Sequence, residues 1–283
     1  MRTARLNGSQ ALTLAADIGG DPAQPPVLLL HGGGQTRHAW GRAFRQLVAN
    51  GYHVISYDAR GHGDSDWSPA GDYQTEALVA DLEVVLAALS RPAALVGASM
   101  GGITSLIAVG RRDPPPVTAL VMVDVAPTLE RRGIEHIRRF MTARPDGFGS
   151  LEEVADAVAA YNPDRPRPRD ASGLMKNLRR GDDGRLYWHW DPRIIADSRA
   201  EHVAYLEAYE ARMEDAARQV RVPTLLVRGS HSDVVSPAGA QRFRELIPQA
   251  EVVDVQGAGH MVAGDRNDAF NAAVLEFLVR HHR

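Results

Sequence analysis

The 283-residue chain has a formal net charge of −3, with 44% apolar and 24% charged residues, an ordinary globular composition that excludes a disordered or fibrous protein. That charge supplies no electrostatic footprint for nucleic acid, whose binding is dominated by cations meeting phosphate. The lack of cysteine removes disulfide frameworks, thiolate zinc sites and cysteine nucleophiles, and no apolar run approaches the roughly 20 residues that span a bilayer.

The start, MRTARLNGSQALTLAADIGG, lacks the continuous apolar segment of a secretory signal, so the cytoplasm is the expected location. Lys176 is the only lysine, and the predominance of arginine reads as codon bias of the source genome.

In chain order, QALTLAADIG and PPVLLLHGGG read as strands, a helix is predicted over Trp40 to Asn50, and YHVISYD returns to a strand. VLLL and HVISY lack the alternation of a half-exposed strand and read as buried on both faces. TEALVADLEVVLAAL has apolar residues at three-and-four spacing, AALVGAS is a strand, a helix follows from Met100 to about Arg111, and TALVMVDVAP is a further strand. Strands separated by helices of this length predict a parallel sheet with crossover helices.

From 128 to 220 the sequence turns helical and arginine-rich, with no convincing buried strand, and RPRPR within it suggests an exposed connector. Strand rhythm resumes at VPTLLVRG, then a helix around Pro237 to Leu246, the strand AEVVDVQG and the amphipathic DAFNAAVLEFLVRHH. The chain is therefore expected to be one α/β domain, residues 1–127 and 221–283, split by a helical insertion over 128–220.

Gly97-Ala98-Ser99-Met100-Gly101 fits Gly-x-Ser-x-Gly after a strand and before a helix. A serine there occupies a strained turn that small neighbours permit, with its hydroxyl at the positive end of the following helix. A serine hydroxyl is a poor nucleophile until an imidazole takes its proton and an anion holds that imidazole. His260, in QGAGHMV after the last strand, is the candidate base. Asp233, in RGSHSDVVSP after VPTLLVRG, is the candidate acid, although it also suits a turn former and helix cap. Asp124, after TALVMV, is the second candidate and is assigned a structural role near the serine turn. Oxyanion donors are expected from the backbone N–H of Met100 and of Gly33 in His31-Gly32-Gly33-Gly34, with Gly34 as an alternative.

LLLHGGG, YDARGHGDSD, GASMGG, RGSHSD and GAGH resemble the successive motifs of the α/β-hydrolase superfamily, on both sides of the insertion. The order Ser99, Asp233, His260 is that of its nucleophile, acid and base. The resemblance implies an α/β-hydrolase fold, a mostly parallel central sheet flanked by helices, with 128–220 as an inserted helical cap roofing the pocket. It implies structural roles for His31 and His62, and a hydrogen-bonded loop of Asp58, Arg60 and Asp64. Gly34, Trp188 and Trp190, with Tyr187 and His189, either line the pocket or, for the aromatics, form the cap's own core.

The expected function is hydrolysis of a small-molecule carboxylic ester, without metal, nucleotide or other cofactor: no dinucleotide or P-loop fingerprint and no His-Glu-x-x-His spacing is present. Carbon–carbon hydrolysis and perhydrolysis stand as alternatives; the HGGG loop resembles carbon–carbon hydrolases, but Ala98 stands where their serine turn usually carries a polar residue. Haloalkane dehalogenases and epoxide hydrolases of this fold need an aspartate where Ser99 stands. A ligand receptor that has lost turnover is the reading from another class, and the retained triad residues weigh against it.

Overall fold

PVLLL is buried at all five positions, because it forms the third strand of a sheet covered on both faces. The computed structural model describes residues 1–128, 130–161, 167, 170–195, 203–260, 262 and 267–283, without the side chains of 203–205 and 267. The strands of its main sheet are β1 (Arg2–Asn7), β2 (Thr13–Gly19), β3 (Pro26–Leu30), β4 (His53–Tyr57), β5 (Ala93–Ala98), β6 (Val117–Val123), β9 (Thr224–Gly229) and β10 (Glu251–Val255). They lie in the order β1-β2-β4-β3-β5-β6-β9-β10. β1 and β2 form an antiparallel edge, and every pair from β4 to β10 is parallel.

Period-two alternation sends successive side chains of each strand to opposite faces. Leu28 and Leu30 pack with α2 (Thr75–Ala87), α3 (Met100–Val109) and α7 (Pro237–Leu246). Val27 and Leu29 pack with α1 (Gly41–Ala49) and α8 (Asn267–His281). Each fully buried leucine or valine contributes about 1.5–3 kcal/mol, so these two layers hold the sheet rigid. Its parallel strands deliver the segments after β3, β5, β6, β9 and β10 to one edge, where ligands of such sheets bind.

The 128–220 block divides, which corrects the expected boundary. α4 (Arg131–Thr142), α5 (Leu151–Tyr161) and an antiparallel hairpin of β7 (Leu178–Arg180) and β8 (Leu186–Trp188) form the roof. It has a core of its own, built on Phe148, Val154, Leu186, Trp188 and Trp190; the hairpin was not expected from sequence. α6 (Val203–Gln219) instead packs on the sheet domain, with Met213, Ala216 and Ala217 in the same cluster as Leu106 of α3. A side chain at Gly110 would overlap the carbonyl of Ala216. Apart from Arg167, which pairs with Asp156 (2.7 Å), the RPRPR segment lies outside the described residues.

Candidate active site

Ser99 joins β5 to α3 with φ 46° and ψ −115°, a region that costs a non-glycine residue of order 1–3 kcal/mol. The turn closes only because its neighbours are small. A Cβ on Gly97 would overlap the carbonyl of Gly101, and one on Gly101 that of Leu30. The carbonyl of Ser99 accepts from Ile103 N–H (2.9 Å), while the N–H of Met100 sits in the first turn of α3, where no i−4 carbonyl is available to it.

His260 donates from Nδ1 to Oδ2 of Asp124 at 2.8 Å. Asp124 is fully buried and follows β6 at φ 48°. Its Oδ1 accepts from Gly229 N–H (2.9 Å), and Oδ2 also accepts from the Ser232 hydroxyl (2.6 Å). A carboxylate only accepts, so this contact selects the tautomer of the neutral ring with its proton on Nδ1 and the lone pair on Nε2.

This corrects the choice of Asp233, which is exposed and 3.1 Å from Nδ1 of His136 on α4. The cause is local. Ser232 directs its hydroxyl at Asp124 while accepting the N–H groups of Val234 and Val235 (3.1 and 3.0 Å), and this tight turn sends residue 233 the other way. A polar residue directly after the buried run LVMV was the available signal for Asp124: it needs partners, and β6 lies between β5 and β9. The roles of Ser232 and His136 carried no sequence signal.

The glycine loop after β3 lies against the serine; a Cβ on Gly32 would stand 3.3 Å from the Cβ of Ser99. Gly32 N–H donates to Gln35 Oε1 (3.1 Å) and Gly34 N–H to His62 Nε2 (3.2 Å). Gly33 N–H has no partner among the described residues, and a Cβ there would meet open space. The alternative donor Gly34 is thus already engaged.

Three imidazoles pack in a tilted row behind this loop, His31 to His62 at 5.1 Å and His62 to His189 at 5.8 Å between ring centres. His31 Nε2 accepts from Ala59 N–H (2.9 Å) while Nδ1 donates to the carbonyl of Gly32 (2.8 Å). His189, from the roof, accepts from Gly63 N–H (2.7 Å) and lies 3.4 Å from the carbonyl of Gly34. Burial, chiefly, lowers His31 from the usual 6.5 to about 4 and His62 and His189 to about 3. All three are neutral brackets at pH 7. Nearby, Asp58 accepts from the backbone and side chain of Arg37 and from Asp64 N–H (3.0 Å), whereas Arg60 turns away to Asp81 (Nε to Oδ2, 2.6 Å).

Ser99, His260, Gly33, Gly34 and Ala98 line one cavity of about 730 Å³, of a size that holds a small organic ligand. Trp188 lines it as well. Trp190 does not; it stacks on Trp188 (5.0 Å, 10°) in the roof's core and backs Gly34 from behind. Tyr187 points outward, its hydroxyl 2.8 Å from Asp183.

A mostly parallel sheet that gathers a strained serine, a histidine and a buried aspartate at one edge is the arrangement of a hydrolytic class of enzyme. Residues 25–266 match the family model described as the alpha/beta hydrolase fold, and the chain belongs to that family. It is 31% identical over 273 residues to the sn-1-specific diacylglycerol lipase ABHD11 of Mus musculus, covering 92% of this chain and 83% of that one. It is also 31% identical over 255 residues to the esterase Rv0045c of Mycobacterium tuberculosis, covering 86% and 78%. Among solved structures, that of E-2-(acetamidomethylene)succinate hydrolase matches with a TM-score of 0.85 at 24% identity over 98% of each chain, a likeness of fold. Among the described residues no helix is long and apolar enough to cross a membrane.

Proposed function

We propose that this hydrolase cleaves a carboxylic ester of a small molecule through an acyl-enzyme on Ser99. The observation that carries the reading is the 2.8 Å hydrogen bond between His260 Nδ1 and buried Asp124, which leaves Nε2 as a base at the cavity that Ser99 also lines. The hydroxyl of Ser99 attacks the carbonyl as Nε2 takes its proton, and the N–H groups of Gly33 and Met100 receive the oxyanion. The tetrahedral species collapses, and His260 returns the proton to the leaving alkoxide, releasing the alcohol. Water, deprotonated by His260, then attacks the acyl-enzyme; the acid leaves and Ser99 regains its proton.

Esterase and lipase relatives support this bond over a carbon–carbon bond. So does Ala98, which presents only a methyl group to the cavity. A fluorophosphonate reagent is expected to label Ser99, and Ser99→Ala to abolish p-nitrophenyl acetate turnover in a protein of unchanged circular dichroism. Labelling at another residue, or undiminished turnover, overturns the proposal.

A further inference from the structure

The cavity is apolar where α4, α5 and β8 face it, through Ile137, Phe140, Met141, Val158 and Trp188. A different chemistry enters from two other places. Arg42 and Arg45 share a face of α1, three residues apart, and Lys176 stands near the end of the roof's 3-10 helix Ser172–Asn177; all three border the cavity. Arg42 pairs with Asp268. Arg45 and Lys176 have no hydrogen-bond or ion-pair partner among the described residues. Among the described residues the lining holds one carboxylate, Asp170, whose oxygens accept from Ser172 N–H and Ser172 Oγ (2.8 Å each). On a chain of net charge −3, this rim is locally cationic, and such a cleft raises the local concentration of anions.

We propose that the ester this site takes carries a second, ionised acid group, which Arg45 of the sheet domain and Lys176 of the roof hold while the apolar lining takes the hydrocarbon part. This rests on the ester-hydrolase reading. The anion belongs to either the acyl or the alcohol portion, and two substrate pairs separate these sources. The first is p-nitrophenyl hydrogen glutarate against p-nitrophenyl valerate; the second is 4-acetoxybenzoate against its methyl ester.

In one pair, kcat/KM for the anion is expected to exceed that for the neutral ester by about three- to tenfold, the scale of two partly exposed ion pairs. The preference should shrink as salt rises from 20 to roughly 500 mM, since screening lengths fall over that range. In Arg45→Gln/Lys176→Gln the ratio should fall towards one. No preference in either pair, or a preference that survives the double substitution, overturns the proposal.

Calorimetry on Ser99→Ala protein supplies a readout independent of turnover, with ethyl hydrogen glutarate expected to bind more tightly than ethyl valerate. Tighter binding of the anion without hydrolysis of any ester would leave the anion proposal standing and remove the ester reading. Equal binding of these two compounds, together with equal binding of 4-acetoxybenzoate and its methyl ester, overturns the anion proposal.

Discussion

The Nδ1 of His260 lies 2.8 Å from the Oδ2 of Asp124, and that carboxylate is fully buried and held by Gly229 and Ser232 as well. A buried acid with three donors does not swing, so it fixes the ring plane and the tautomer of the histidine together.

Asp124→Asn is therefore expected to lower kcat for p-nitrophenyl acetate by about 10⁴, the loss that follows when the imidazole is held in the wrong tautomer. Asp233→Asn removes only the exposed contact to His136 and should stay within about threefold of the parent rate, as an exposed pair contributes at most about 1 kcal/mol. A greater loss in the Asp233 variant would reverse the assignment.

Ser99 stores backbone strain at φ 46°, and glycine relieves such strain at a positive φ. Ser99→Gly should be inactive yet melt at or above the temperature of the parent, by up to about 1 kcal/mol of stability after the entropy lost by introducing glycine. A clearly lower melting temperature would show that the hydroxyl, and not the strain, dominates there.

His189 ties the roof to the glycine loop through Gly63 N–H and the Gly34 carbonyl. Its replacement by alanine frees that loop, and kcat is expected to fall by up to about a hundredfold with KM within about threefold, since small misplacements act on the reacting geometry. His189→Asn keeps an acceptor and a donor and should recover part of the loss. Equal falls in the two variants, with KM rising in step, would point to a collapsed pocket instead.

His31, His62 and His189 bind protons at about 4, 3 and 3 when folded, below the usual 6.5. Between those limits the unfolded chain binds more protons, so stability is complete above pH 6.5 and is lost as pH falls towards 4. Each histidine contributes a slope of about 1.4 kcal/mol per pH unit. Urea unfolding between pH 7 and 4.5 should show the midpoint falling steadily; a flat profile would mean that the imidazoles are charged in the folded protein.

Much of this architecture is legible in local pattern. VLLL and LVMV declare buried parallel strands because neither alternates, and GASMG declares a tight turn because nothing larger than glycine fits at Gly97 or Gly101. α6 was less legible: its sequence is as helical as the roof's, and only packing against α3 assigns it to the sheet domain. The hairpin of β7 and β8 was hidden for a similar reason, three-residue strands being too short to show a period.

By itself, the sequence determined the α/β layering and the positions of Ser99, His260 and the glycine loop, since these rest on hydrophobic period, small-residue turns and strand ends, all of them short-range constraints. Tertiary structure alone shows which of Asp124 and Asp233 lies beside His260. Both follow strands at the same sheet edge, and the choice lies in side-chain direction: the turn at Ser232 aims residue 233 at α4, while β6, lying between β5 and β9, carries Asp124 inward to His260.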